Sequence, residues 1–143
     1  MRAPAKIKGL GEYTVKEFKQ EEAPPAPDTW TGPLDEWYVY WWLSKHVGTD
    51  NFQYQGSREG GRKYLGGVIA DFIVYDRTPG LVINVQGQYW HRGSEAAAKD
   101  MLQKIQYMNM GYDVVFIFEQ DIMTRLDYTM KMALLGIQLR PDQ

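Results

Sequence analysis

The stretch GGVIADFIVYDRTPGLVINVQGQYWH, residues 66–91, decides the fold. Val68 to Tyr75 is dense in β-branched and aromatic residues, and Leu81 to Gln86 is a second run of that kind. Such side chains fit a pleated, half-buried surface. Between them stands Asp76-Arg77-Thr78-Pro79-Gly80, whose Asp, Pro and Gly suit a tight turn. The two runs are therefore expected to pair as an antiparallel hairpin. Alternate side chains of a strand share a face. Leu81, Ile83 and Val85 then point to the core, while Val82, Asn84 and Gln86 point the other way.

The polar positions carry the chemistry. Asn84 and Gln86 on a central strand are costly to bury without a hydrogen-bond network, a metal or water. Asp71 sits amid VIADFIVY, where a carboxylate is expensive unless it is paired or holds a cation. The hairpin brings Asp71 near Asn84 across the ladder. With His91 close by, the cluster is oxygen-rich and suits Mg2+ or Mn2+ rather than a soft metal. The plainer reading of Asp71 is a buried acid satisfied by backbone donors, and that of a lone histidine is structural.

Working outward, Pro33 suits a first helical turn, and Asp35 and Glu36 suit the positive end of a helix dipole. Trp37 to Leu43 is apolar nearly all round, which predicts a largely buried helix ending at Gly48. Asn51 to Gln55 reads as a short strand. Gly56 to Gly67 reads as a Gly-rich loop carrying Arg58, Arg62 and Lys63, with a strand near Tyr64. Ser94 to Met110 is expected to be a helix capped by Ser94. Ala98, Met101, Leu102, Ile105 and Met108 make its apolar stripe, and the methionines are spaced for helix packing. Val114 to Phe118 is wholly apolar, as befits a parallel strand covered on both faces. A last helix is expected from Asp121, as N-cap, to Leu135.

The fold class is thus α/β: helix, two or three strands, helix, strand, helix, with a mixed sheet flanked by helices. Residues 1–32 form an extended Pro-rich arm, with Ala23 to Pro27 stiff rather than core-forming and a short strand near Gly11 to Val15. Residues 33–143 form the single domain that a chain of this length allows.

Composition narrows the function classes. The absence of cysteine removes disulfides, thiolate metal sites and a cysteine nucleophile. MRAPAKIKGL lacks an apolar h-region, and no apolar run is long enough to span a bilayer, so a cytoplasmic protein with no membrane partner is expected. The net charge of −2 is unlike that of a protein gripping nucleic acid by phosphates alone. Any DNA contact then needs local positive charge or a metal.

On these residues the segment 66–91 resembles the PD-(D/E)XK nuclease superfamily, in particular small members related to very-short-patch repair endonucleases. Those have an Asp on one strand, an acidic-x-Lys triad on the next, then Gly, an aromatic and often Trp-His. The resemblance spans roughly Pro33 to Asp121 and implies a restriction-endonuclease-like αβββαβ core. It implies Asp71 as metal-binding acid, Asn84 in the second acid's place and Gln86 in the lysine's place. His91 corresponds to a histidine that activates water or steadies the leaving group. Glu36, on the first helix, matches an accessory metal ligand, and the carbonyl of Val85 is a further one. The activity implied is Mg2+- or Mn2+-dependent hydrolysis of DNA, with Arg58, Arg62, Lys63 and Arg92 on the backbone and Tyr89 and Trp90 under the site or against a base. Asn84 and Gln86 depart from the pattern, and both changes weaken metal binding. Beside an active endonuclease stand two further expectations. One is a degenerate fold that binds DNA without cutting. The other is an assembly module, as of a phage complex, that forms homo- or hetero-oligomers through its arm and aromatic helix.

Overall fold

In a computed structural model the described residues are 22–55, 70–87 and 93–140, with the backbone of four short strands at 5–7, 11–13, 63–64 and 68–69. The elements are β1 (Ala5–Ile7), β2 (Gly11–Tyr13), α1 (Leu34–His46), β3 (Phe52–Tyr54), β4 (Lys63–Tyr64), β5 (Val68–Ile69) and β6 (Phe72–Val74). They continue with β7 (Leu81–Gln86), α2 (Ser94–Asn109), β8 (Asp113–Phe118), α3 (Glu119–Thr124) and α4 (Leu126–Leu134). The protein is α/β, with a four-stranded mixed sheet in the order β3-β6-β7-β8. β3, β6 and β7 pair antiparallel, and β7 and β8 run parallel, joined through α2.

Period-two alternation gives the sheet two covered faces. Phe72, Val74, Leu81, Ile83, Val115 and Ile117 face a core built with Val39, Trp42 and Leu43 of α1 and with α3 and α4. Ile73, Val82, Val114, Phe116 and Phe118 face the opposite side, where Tyr107 of α2 covers them. Each buried side chain of this size contributes about 1.5–3 kcal/mol of transfer free energy. Under α1, Asp127 accepts hydrogen bonds from Trp42 Nε1 (3.1 Å) and Lys131 Nζ (2.9 Å), all buried.

The hairpin, β3, β7 and β8 lie where the sequence places them. Gly48 and Gly111 follow α1 and α2 with φ of 99° and 90°, a conformation that glycine takes without strain. Four expectations need correction. The strand expected over Val68 to Tyr75 breaks at Asp71: its first part pairs with β4 and its second with β3 and β7. α2 starts at Ser94 with Gly93 as its N-cap. The last helix is two helices, broken at Arg125 (φ −150°, ψ 57°), where Thr129 Oγ1 donates to the carbonyl of Arg125 (2.8 Å). Asp121 is therefore not a cap; it lies inside α3, buried, and pairs with Arg125 at 3.0 Å.

Two further corrections concern burial. Only Glu36, Val39, Trp42 and Leu43 of α1 are buried, and Trp37, Tyr38, Tyr40 and Trp41 are half-covered. The apolar stripe of α2 does not meet the sheet: Met101, Leu102, Ile105 and Met108 are all exposed. The end of the N-terminal arm rests on α1. Trp37 Nε1 donates to the carbonyl of Pro24 (2.8 Å), and Trp30 stacks on Tyr54 with ring centres 5.0 Å apart.

Candidate functional site

The break at Asp71 builds the site. The β6–β7 ladder runs to the pair Phe72 and Ile83, so Asp71 and Asn84 would come next. Side chains take over there. The backbone N–H of Asp71 donates to Asn84 Oδ1 (2.9 Å), and the N–H of Val85 donates to Asp71 Oδ2 (2.9 Å). On the other side, the N–H of Gln55 donates to the carbonyl of Asp71 (2.8 Å). Ala70 and Ile73 both join the core under α2, so the alternation slips by one residue across this bend. The backbone of Asp71 is thus tied to both neighbouring strands, and its carboxylate is fixed by one of them.

That carboxylate looks toward α1. Asp71 is 8% exposed, and its pKa is pushed up to about 6, from an ordinary 3.8. Burial is the main cause, the hydrogen bond from Val85 opposes it, and the charges of Glu36 and Asp35 add to it. Among the described residues no cation pairs with Asp71 to offset this.

The two α1 acids are placed by the helix start. Pro33 is the N-cap and leaves the first turn to Asp35 and Glu36. Asp35 Oδ1 accepts the N–H of Glu36 (2.8 Å). Glu36 is 3% exposed, and its Oε1 accepts the hydroxyl hydrogen bond of Tyr54 (2.8 Å). Asp35 is also pushed up to about 6, chiefly by burial, with Glu36 and Glu119 adding to it. Tyr54 is raised as well, by burial and then by its bond to Glu36. Glu119 begins α3 directly after β8.

Asp71 and Glu36, both singled out from sequence, are therefore brought into electrostatic contact. Val85 is joined to Asp71 through its N–H. Asn84 lies beside Asp71, but the amide oxygen offered to a cation already accepts the Asp71 N–H. Alternation puts Asn84 with Val82 and Phe116 on the α2 side of the sheet, away from Glu36. Gln86 is half-buried at the end of β7. His91, Arg58, Arg62, Arg92, Tyr89 and Trp90 lie outside the described residues, as does the side chain of Lys63. The sequence reading missed Asp35, Tyr54 and Glu119 as parts of the site. Glu119 was findable, because the residue after a parallel strand emerges at the same end as Gln86.

The donor set is two buried carboxylates, Asp71 and Glu36. Among the described residues no three His, Cys, Asp or Glu side chains stand close enough to hold a metal by themselves. Mg2+ typically takes one or two protein carboxylates and keeps several waters, so the residues present fit such an ion and not a dehydrated all-protein cage. No helix among the described residues is long and apolar enough to cross a membrane. Searches against family models, curated proteins and solved structures give no match to this chain.

Proposed function

We propose that the chain is a divalent-metal-dependent DNA endonuclease built on a restriction-endonuclease-like core. One observation carries the reading. A buried carboxylate, Asp71, is held in place by Val85, has no cation paired with it among the described residues, and lies in the field of a second buried carboxylate, Glu36. Either a proton or a metal ion relieves that arrangement, and near neutral pH a hard cation is the stronger partner. The element order also agrees: α1, the strands to β7, α2 and β8 run in the order of the αβββαβ core.

Asp71, Glu36 and the Val85 carbonyl would hold Mg2+ or Mn2+. When bound, the ion supplies charge to the scissile phosphate and acidifies a water. The chain's own residues position and shield. Asn84 pins the Asp71 backbone, Tyr54 orients Glu36, and Trp30 stacked on Tyr54 limits water at that carboxylate. In this reading His91 takes the proton of the attacking water, a task that an imidazole can perform near neutral pH. Arg58, Arg62, Lys63 and Arg92 hold phosphates, and Tyr89 and Trp90 pack against the substrate.

The test is nicking of supercoiled plasmid in Mn2+. The wild type should nick, and Asp71→Ala should lose activity by about a hundredfold or more. Equal nicking by both proteins would overturn the reading. A non-catalytic assembly module is the second reading, favoured by the neutral Asn84 and by the exposed face of α2.

A further inference from the structure

α2 carries its polarity the wrong way round for a helix that covers a sheet. Successive residues turn by about 100° around a helix. The side turned to the protein holds Asp100, Gln103, Lys104 and Tyr107, spaced i, i+3, i+4, i+7; Tyr107 is fully buried and the other three are half-buried. Directly opposite lie Ala98, Met101, Leu102, Ile105 and Met108, all exposed. Met101, Leu102, Ile105 and Met108 leave between 45% and 65% of their surfaces in solvent.

We propose that this outward face is where a second copy of the chain docks, α2 against α2. Ala98, Met101, Ile105 and Met108 follow each other at steps of three, four and three residues. That spacing lays the four side chains along one line of the helix, where each can enter a hole between the side chains of a like helix. From Ala98 to Met108 the seam runs about 15 Å along the helix. With Met110 at its end, the strip offers on the order of 500 Å² per copy. Two copies then bury about 1,000 Å², the lower bound of a specific interface and far below an obligate one. The pair is accordingly a reversible dimer at the weak end of specific association.

Charge favours a second copy over a lipid surface. Glu95 and Lys99 flank the strip with opposite signs, whereas a helix lying on a membrane has a basic polar face left open to headgroups. Here the polar face is the one packed on the sheet. The net charge of −2 opposes self-association only weakly. This inference does not rest on the metal site.

Sedimentation velocity of the full chain tests it from about 1 to about 100 µM. The weight-average mass should climb from monomer toward dimer. Leu102→Glu should hold it at monomer throughout, with an unchanged circular dichroism spectrum, and Met108→Gln should weaken the dimer about tenfold or more. Lys99→Glu, off the strip, should leave it intact. A wild type that stays monomeric at the highest concentration would overturn the proposal. So would a dimer indifferent to both Leu102→Glu and Met108→Gln. Flotation of monomeric wild type with phosphatidylcholine–phosphatidylglycerol vesicles would overturn it in favour of a membrane surface.

Discussion

α1 and α2 flank the same sheet and treat polarity in opposite ways. α1 has an almost continuous apolar sequence, yet it carries Glu36 inside and leaves four aromatic rings half-covered. α2 has a clear apolar stripe and turns it to solvent, meeting the sheet through Tyr107. Periodicity shows that a helix has two faces. Which face meets the sheet depends on what else competes for it. On the α1 side, α3 and α4 complete the core, so α1 can spend its first turn on acids. On the α2 side only α2 covers the strands among the described residues, and its stripe faces solvent.

The contrast can be broken first on the α1 side. Asp127→Ala removes the buried carboxylate that accepts from Lys131 Nζ and from Trp42 Nε1, and should cost about 3 kcal/mol in urea unfolding. A loss below about 1 kcal/mol would mean that the cover of this core is looser than described.

Next comes the acid site. Asp71 keeps its proton to about pH 6 when folded, against an ordinary 3.8. Between those values the folded chain binds more protons than the unfolded chain. Stability therefore falls as pH rises through the window from about 4 to 6. The penalty is absent below it and fully present at pH 8, on the order of 3 kcal/mol. Without metal, Asp71→Asn should recover up to that amount at pH 8 and change little at pH 3.5, because the amide oxygen can still accept from Val85. Unfolding curves at the two pH values decide it; no difference between them would remove the charge penalty.

Asn84→Ala leaves the Asp71 N–H without its acceptor and should cost about 1–3 kcal/mol, while Asn84→Asp should retain part of the bond. A neutral result for Asn84→Ala would show that the latch is dispensable. The smallest effect belongs to α2. At concentrations where the chain is monomeric, Leu102→Glu should move stability by less than about 0.5 kcal/mol. A large loss would place Leu102 in the core after all.

Much of this could be read from residues alone. β7 and β8 announce themselves by composition, and the hairpin by its Asp-Arg-Thr-Pro-Gly turn. The pairing of Asp71 with Glu36 followed only from the family resemblance. The bend at Asp71 was hidden, because VIADFIVY has strand propensity throughout. At the break the Asp71 N–H donates to the Asn84 side chain, a tertiary event that propensity does not register. The break at Arg125 was hidden for the same kind of reason, since Asp121, Arg125 and Thr129 each look helical by themselves. Asp35 looked like an ordinary helix-start acid, and only the chain path puts its charge beside that of Glu119.

The most direct test of the metal reading is the thermal midpoint as Mn2+ is added at pH 7.5, compared between wild type and Asp71→Asn. The wild-type midpoint should rise and saturate, because an ion bound only by the folded chain stabilises it, while the variant stays level. Equal responses in both proteins, or none in the wild type, would contradict a cation site at Asp71.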